Sequence, residues 1–203
     1  MPSVDPIRLL VVPGLHDSGP AHWQTWLQQQ SRRSLRVQQR DWSEPDLEAW
    51  ADRIDATIAA QPPARWIAVA HSFGCLALAR HLDRHTSDGA GDPRRPVRAA
   101  LFVAPADPVK FGVAARVPGH RLAPRSTLIG SDSDPWMSGA EARRWAGLWG
   151  ARFMSLGDAG HINTEAGFGP LPRAKAVVAE MARRLVGEHR IDHAHPAELS
   201  YAI

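Results

Sequence analysis

Ser72 is the residue with the most chemistry within reach. Ala70 stands two residues before it and Gly74 two residues after, inside the run IAVAHSFGCLALA at residues 67–79. That run predicts a buried strand, a sharp turn with the serine at its apex, and a helix rich in small residues. The small-x-Ser-x-small pattern is that of a nucleophile elbow, here with Ala in place of the first Gly. Small flanks are needed because the turn is tight and the serine backbone is held in a strained conformation. The turn pushes the hydroxyl out of the sheet. It aims the N–H of Phe73 at the same point, and the positive end of the following helix lies behind it.

A serine hydroxyl is a poor nucleophile at neutral pH. It needs an adjacent base, and the base needs a carboxylate that orients it and stabilises the imidazolium. His161 is the best base, because it follows the last predicted strand and Gly160 before it permits close backbone approach. His71 adjoins Ser72, so its side chain should point elsewhere around the turn. For the carboxylate we choose Asp134, which precedes Pro135 after the penultimate strand, although Asp132 in the same loop is open to the same role. Asp158 lies three residues from His161 and suits holding the loop. The oxyanion hole should use the backbone N–H of Phe73 and a second from Leu15 or His16. His16, His22, Trp23 and Trp136 are assigned to the substrate pocket.

These residues need a frame. Residues 9–12 (LLVV), 67–70, 99–104 and 127–129 are continuous apolar runs, as expected of parallel strands buried on both faces. Residues 35–39 are a weaker strand near an edge, and 152–156 the last strand. Trp23, Trp26 and Leu27 mark one face of the first helix. Ser43 and Asp46 are read as a capping box before Leu47, Trp50, Ile54 and Ile58, and Ser138 with Glu141 as a second. Gly150 should stop the helix between them and the last strand. Val177, Val178, Met181 and Leu185 define a final helix at about 173–186. Residues 86–96 read as a mobile surface loop, residues 106–124 as a small cap over the site, and residues 187–203 as a disordered tail. Strand and helix alternate throughout. This predicts a three-layer α/β/α sandwich with about six parallel strands, one domain over residues 1–186. In such sheets the reactive site lies beyond the carboxyl ends of the strands, where the loops carrying Gly14 to Ser18, Ser72, Asp107, Asp132 with Asp134, and Asp158 with His161 converge.

Composition removes several function classes. The 203 residues carry a net charge of only +3, and the arginine pairs 32–33, 94–95, 143–144 and 183–184 are spread along the chain. No basic stripe interleaved with aromatics is present, so nucleic acid is not an expected partner. No run reaches the roughly 18–20 apolar residues of a membrane helix, and residues 1–8 lack a signal core, so a cytoplasmic location is expected. The single cysteine, Cys75, excludes an intramolecular disulfide and reads as a packed small hydrophobe.

The chain resembles the small α/β-hydrolase-fold serine hydrolases related to retinoblastoma-binding protein 9. The resemblance rests on Pro13-Gly14 with His22-Trp23, on residues 70–75, on Ser133-Asp134-Pro135, and on Trp149-Gly150-Ala151. It rests also on residues 159–163 followed by 167–170. It spans about residues 9–186 and implies Ser72, Asp134 and His161 as a triad on a minimal α/β-hydrolase fold. Leu171 and Ala166 depart from the pattern at the site rim and bear on substrate preference.

The expected function is therefore esterase-like cleavage of a small-molecule ester, thioester or amide through an acyl-Ser72 intermediate. No metal and no cofactor are called for. Two other classes compete. One is a non-catalytic interaction module on the same fold, with Trp23, Trp42 and Trp136 lining a partner groove. The other is a metallohydrolase using His16, Asp17, His22 and His161, whose spacing matches none of the compact zinc motifs.

Overall fold

The computed structural model describes residues 5–85, 96–122 and 124–192. The expected loop over 86–96 lies outside the described residues except for Pro96. The apolar runs form six strands: β1 (Ile7–Val12), β2 (Ser34–Arg36), β3 (Arg65–Ser72), β4 (Val97–Pro105), β5 (Arg125–Gly130) and β6 (Arg152–Ser155). They make one sheet in the order β2-β1-β3-β4-β5-β6, and every neighbouring pair is parallel. The architecture is the expected minimal α/β-hydrolase fold. The two shortest strands, β2 and β6, take the edges.

Alternation along each strand divides the core in two. Leu10, Val12, Ala68, Ala70, Ala100 and Phe102 face one layer, made by α2 (Leu47–Ala59), α3 (Phe73–Arg84) and α4 (Gly139–Trp149). Leu9, Val11, Ile67, Val69, Leu101 and Val103 face the other, made by α1 (Trp23–Gln29) and α5 (Pro172–Asp192). Both faces of the central strands are thereby removed from water, which is why these strands read as unbroken apolar runs.

Four local expectations change. Asp46 itself is the N-cap of α2, accepting from the N–H groups of Glu48 and Ala49, whereas Ser43 donates to Asp41 in the turn before it. A carboxylate directly before the first helical residue is already a complete cap, so no box forms. The strand expected over 35–39 is shorter and begins at Ser34. The last helix continues to Asp192, six residues into the stretch expected as a tail, and residues 193–203 lie outside the described residues. The segment after β4 is less of a cap than expected. A short 3-10 turn, Ala114–Arg116, interrupts it, and Val113, Val117 and Leu122 are buried in the core beside α3 and α4. Only the part around Lys110 and Phe111 reaches the site. By contrast Ser138 caps α4 through Glu141 N–H, and Gly150 ends that helix at φ 67°, both as read from the sequence.

The turn from β3 into α3 determines where β1 must lie. A Cβ on Gly74 would fall 2.3 Å from the Pro13 carbonyl oxygen and 2.7 Å from that of Val12, both rigid backbone atoms. Gly74→Ala is therefore expected to lower unfolding free energy by at least about 1–3 kcal/mol in urea denaturation. Gly147, exposed in α4 with nothing within 4 Å of its missing Cβ, provides the matched control. Gly147→Ala should raise stability by up to about 1 kcal/mol.

Candidate active site

Ser72 sits where β3 ends and α3 begins, with φ 53° and ψ −128°. A non-glycine residue held there stores about 1–3 kcal/mol of backbone strain, which the surrounding contacts must maintain. They do so from two sides. Gly74 lets α3 start against the carbonyls of Val12 and Pro13, and Gly14 lets the β1 loop press on the serine, since a Cβ there would lie 2.7 Å from Ser72 Cβ.

From the far side of the sheet come the other two groups. His161 Nε2 is 2.9 Å from Ser72 Oγ, and His161 Nδ1 is 2.9 Å from each carboxylate oxygen of Asp134. The Asp134 side chain is only 1% exposed, and its Oδ1 also accepts from Trp136 N–H at 2.8 Å. Asp132 takes no part in this line. Its Oδ1 accepts from Ser155 Oγ, and its own N–H donates to the Gly157 carbonyl. Asp158 accepts from Ser133 Oγ, a loop-holding role as expected.

Two serines stitch the Asp134 loop to the His161 loop. Ser131 Oγ donates to Gly157 O and accepts from Ala159 N–H, while Ser133 Oγ accepts from Gly160 N–H at 3.1 Å. Gly160, at φ 51°, and Ile162, at φ 48°, bend the chain on either side of the histidine. In the sequence Ser133 is marked only as part of Ser133-Asp134-Pro135 and Ser131 not at all, because a serine beside an aspartate in a loop looks like any turn.

The first loop is fixed just as tightly. Arg36 donates to Asp17 Oδ1, Ser18 O, Thr25 Oγ1 and Gln28 Oε1. Gln24, fully buried, accepts from Ser18 Oγ and donates to Val12 O and Val69 O, tying the ends of β1 and β3. A glutamine between Trp23 and Leu27 on an apolar face was the available signal for it. His16 donates its N–H to Trp42 O, and Asp17 donates to Gly14 O. Both amides are thus engaged, one across to Trp42 and one within the loop.

The pocket assignment from the sequence divides. Trp136 is 45% exposed, 6.3 Å from the His161 ring and 5.9 Å from Phe111, so it stands at the rim. Lys110 Nζ donates to Pro135 O and draws the Phe111 segment to the same rim. His16 is exposed. Trp23 and His22 must be moved: Trp23 is fully buried in the core and His22 is buried behind the site. The reason is local. His22 is the N-cap of α1, accepting from Gln24 N–H, and this turns both rings toward the sheet. The same burial removes Trp23 from any partner groove with Trp42 and Trp136. The four ligands of the competing metallohydrolase reading, His16, Asp17 and His22 with His161, are likewise not gathered, since Asp17 is bonded to Arg36, His22 Nδ1 to its helix and His161 Nδ1 to Asp134. Cys75 is buried and burial pushes its thiol far up, as expected of a packed hydrophobe.

Behind His161 lies a row of rings. His71 stands 4.9 Å from both His161 and His22, and its Nε2 is 3.0 Å from the His161 carbonyl oxygen. A carbonyl only accepts, so His71 carries its proton on Nε2 and holds the His161 backbone from behind. Burial, then the neighbouring imidazoles of His161 and His22, hold His71 well below the ordinary histidine range. Burial, Arg36 and His161 lower His22 to about 4. Both are neutral at pH 7. Unfolding restores their ordinary pKa near 6.5, so the unfolded chain takes up more protons and stability falls as pH drops from about 6.5 toward 4. Each such histidine contributes at most about 1.4 kcal/mol per pH unit in that window. His22→Asn keeps a capping acceptor, and urea denaturation at stepped pH should show its slope reduced by up to one proton.

With the geometry in hand, comparison with known proteins is direct. A family model described as "Serine hydrolase" matches residues 9–180. A YdeN-like hydrolase of Pectobacterium atrosepticum is 32% identical, with 89% of this chain and 92% of that chain covered at a TM-score of 0.80. The ydeN gene product of B. subtilis is 19% identical, covering 87% and 98% at a TM-score of 0.72. Acyl-protein thioesterase 2 of Zea mays is 13% identical, covering 79% and 88% at 0.52, and shares the fold. No curated protein matches the chain. The matched span covers most of the chain and includes Ser72, Asp134 and His161, and the chain belongs to the serine hydrolase family that also holds the relatives of retinoblastoma-binding protein 9.

Proposed function

We propose that the chain cleaves a small carboxylic ester, thioester or amide through an acyl-Ser72 intermediate. The observation that carries this reading is the bridging imidazole: His161 reaches Ser72 Oγ with one nitrogen and Asp134 with the other, each at 2.9 Å. Ser72 Oγ attacks the carbonyl carbon while His161 Nε2 takes its proton. Asp134 keeps the Nδ1–H tautomer in place and stabilises the imidazolium. The carbonyl oxygen becomes an oxyanion and is met by Phe73 N–H and Leu15 N–H, at the positive end of α3. Collapse expels the alcohol, thiol or amine, which receives the proton from His161. Water, deprotonated by the same imidazole, then releases the acid and restores Ser72. Trp136 and Phe111 offer an aromatic rim for an apolar substrate group. The maize thioesterase that shares the fold is named for one of these three leaving-group classes.

A fluorophosphonate probe is expected to add one equivalent to the parent, on the peptide containing Ser72, and none to Ser72→Ala. Absence of labelling of folded protein would overturn the proposal. Among aspartates, Asp134→Asn should lower kcat on p-nitrophenyl esters by roughly 10³–10⁴, through the wrong imidazole tautomer. Asp132→Asn should stay within about tenfold of the parent, because its contacts only shape the loop. Equal losses in the two variants would contradict the assignment of Asp134.

A further inference from the structure

At the opposite end of α3 from Ser72 a second group of ligating side chains comes together. His81 and His85 are four residues apart on one helix face, and Asp55 of α2 lies between their rings. His85 Nε2 is 2.7 Å and His81 Nδ1 is 2.9 Å from Asp55 Oδ1, and the three donor atoms all lie within 4.8 Å of one another. Among the described residues no other group of three His, Cys, Asp or Glu side chains gathers in this way. Helix rise places the cluster roughly 15–20 Å from Ser72, too far to touch the hydrolytic site.

An ordinary hydrogen-bonded cluster explains half of this arrangement. His85 Nε2–H is aligned on Asp55 Oδ1. His81 is not: it is 2% exposed, yet its Nδ1 makes no aligned hydrogen bond despite standing so close to the carboxylate. A buried polar nitrogen left in this state is costly, on the order of 1–3 kcal/mol. A cation placed among the three atoms would engage Nδ1 and the carboxylate together. Around the cluster Glu48, Asp52 and Asp83 share one network with Arg80, Arg84 and His120. Arg84 reaches the other oxygen of Asp55, at 3.4 Å, and is held by Glu48 and Asp52 as well.

We propose that Asp55, His81 and His85 bind one divalent transition cation of the zinc class, which clasps α2 to α3. Two imidazole nitrogens and one carboxylate oxygen are the donor set that zinc and cobalt prefer. Tetrahedral ligand atoms stand roughly 3.3 Å apart, so loading lengthens the two oxygen–nitrogen separations by about half an ångström. His85, half exposed, is the ligand free to make that shift, and its side leaves the fourth position to water.

Untagged protein, stripped with chelator and titrated with Co²⁺, tests this directly. The expected result is one equivalent bound, with the visible absorption of a four-coordinate cobalt site that Zn²⁺ displaces. His85→Ala, at an exposed position, should weaken binding at least tenfold and abolish the band while Ser72 still labels with the fluorophosphonate. Asp55→Asn should weaken binding likewise and supplies the second variant. Absence of stoichiometric binding by the parent overturns the proposal, as does binding undiminished in both variants, which would place the cation elsewhere on the chain.

Discussion

A carboxylate buried to 1% exposure survives only when its charge is answered, and the whole site hangs on how Asp134 is answered here. One imidazole faces both of its oxygens, and the Trp136 amide donates to one of them. That demand fixes the ring of His161 in plane and tautomer. The other nitrogen can then point only outward, and Ser72 Oγ is what it meets. His71 strengthens the arrangement from behind by holding the His161 carbonyl, and it does so as a neutral ring. A positive charge there would stand 4.9 Å from the His161 ring and oppose any charge on it.

The sheet order makes this meeting possible. Ser72, Asp134 and His161 arise beyond β3, β5 and β6, while the Gly14 loop arises beyond β1. Because β1 pairs directly with β3, the loop at Gly14 can touch the serine. Backbone strain at Ser72 is sustained by that contact and by the passage of Gly74 over the β1 carbonyls. Polar side chains hold the loops at their bases: Arg36 and Gln24 under the first, Ser131 and Ser133 between the last two. They are the less visible half of the site, and each bonds backbone groups where the loops begin and end.

Much of this was legible in the sequence, and the reasons differ residue by residue. Ser72 and His161 carry local signals, small flanking residues in one case and a glycine after a strand in the other. The doubly buried strands declare themselves as continuous apolar runs, so the sheet followed. Asp132 and Asp134 share one loop, and only the turn into Pro135 and the bond from Ser155 separate them in space. His22 and Trp23 stand in the right loop but on its inner side, a choice made by a capping bond that leaves no mark on residue type. The segment after β4 has no period to read, because its apolar residues pack singly into gaps beside α3 and α4. Asp55 meets the two histidines only through the packing of α2 on α3, a distance that sequence spacing does not encode.

The two ends of α3 thus carry different demands, backbone strain and the Ser72 hydroxyl at its start and the Asp55, His81 and His85 cluster at its close. The central claim concerns the first of these. Nitrogen-resolved NMR of histidine-labelled protein reads it most directly, by reporting which ring nitrogen of His161 holds the proton. The account predicts Nδ1–H hydrogen-bonded to a carboxylate with Nε2 bare, a pattern that disappears in Asp134→Asn. A His161 protonated on Nε2, or a ring whose state is indifferent to Asp134, would contradict it.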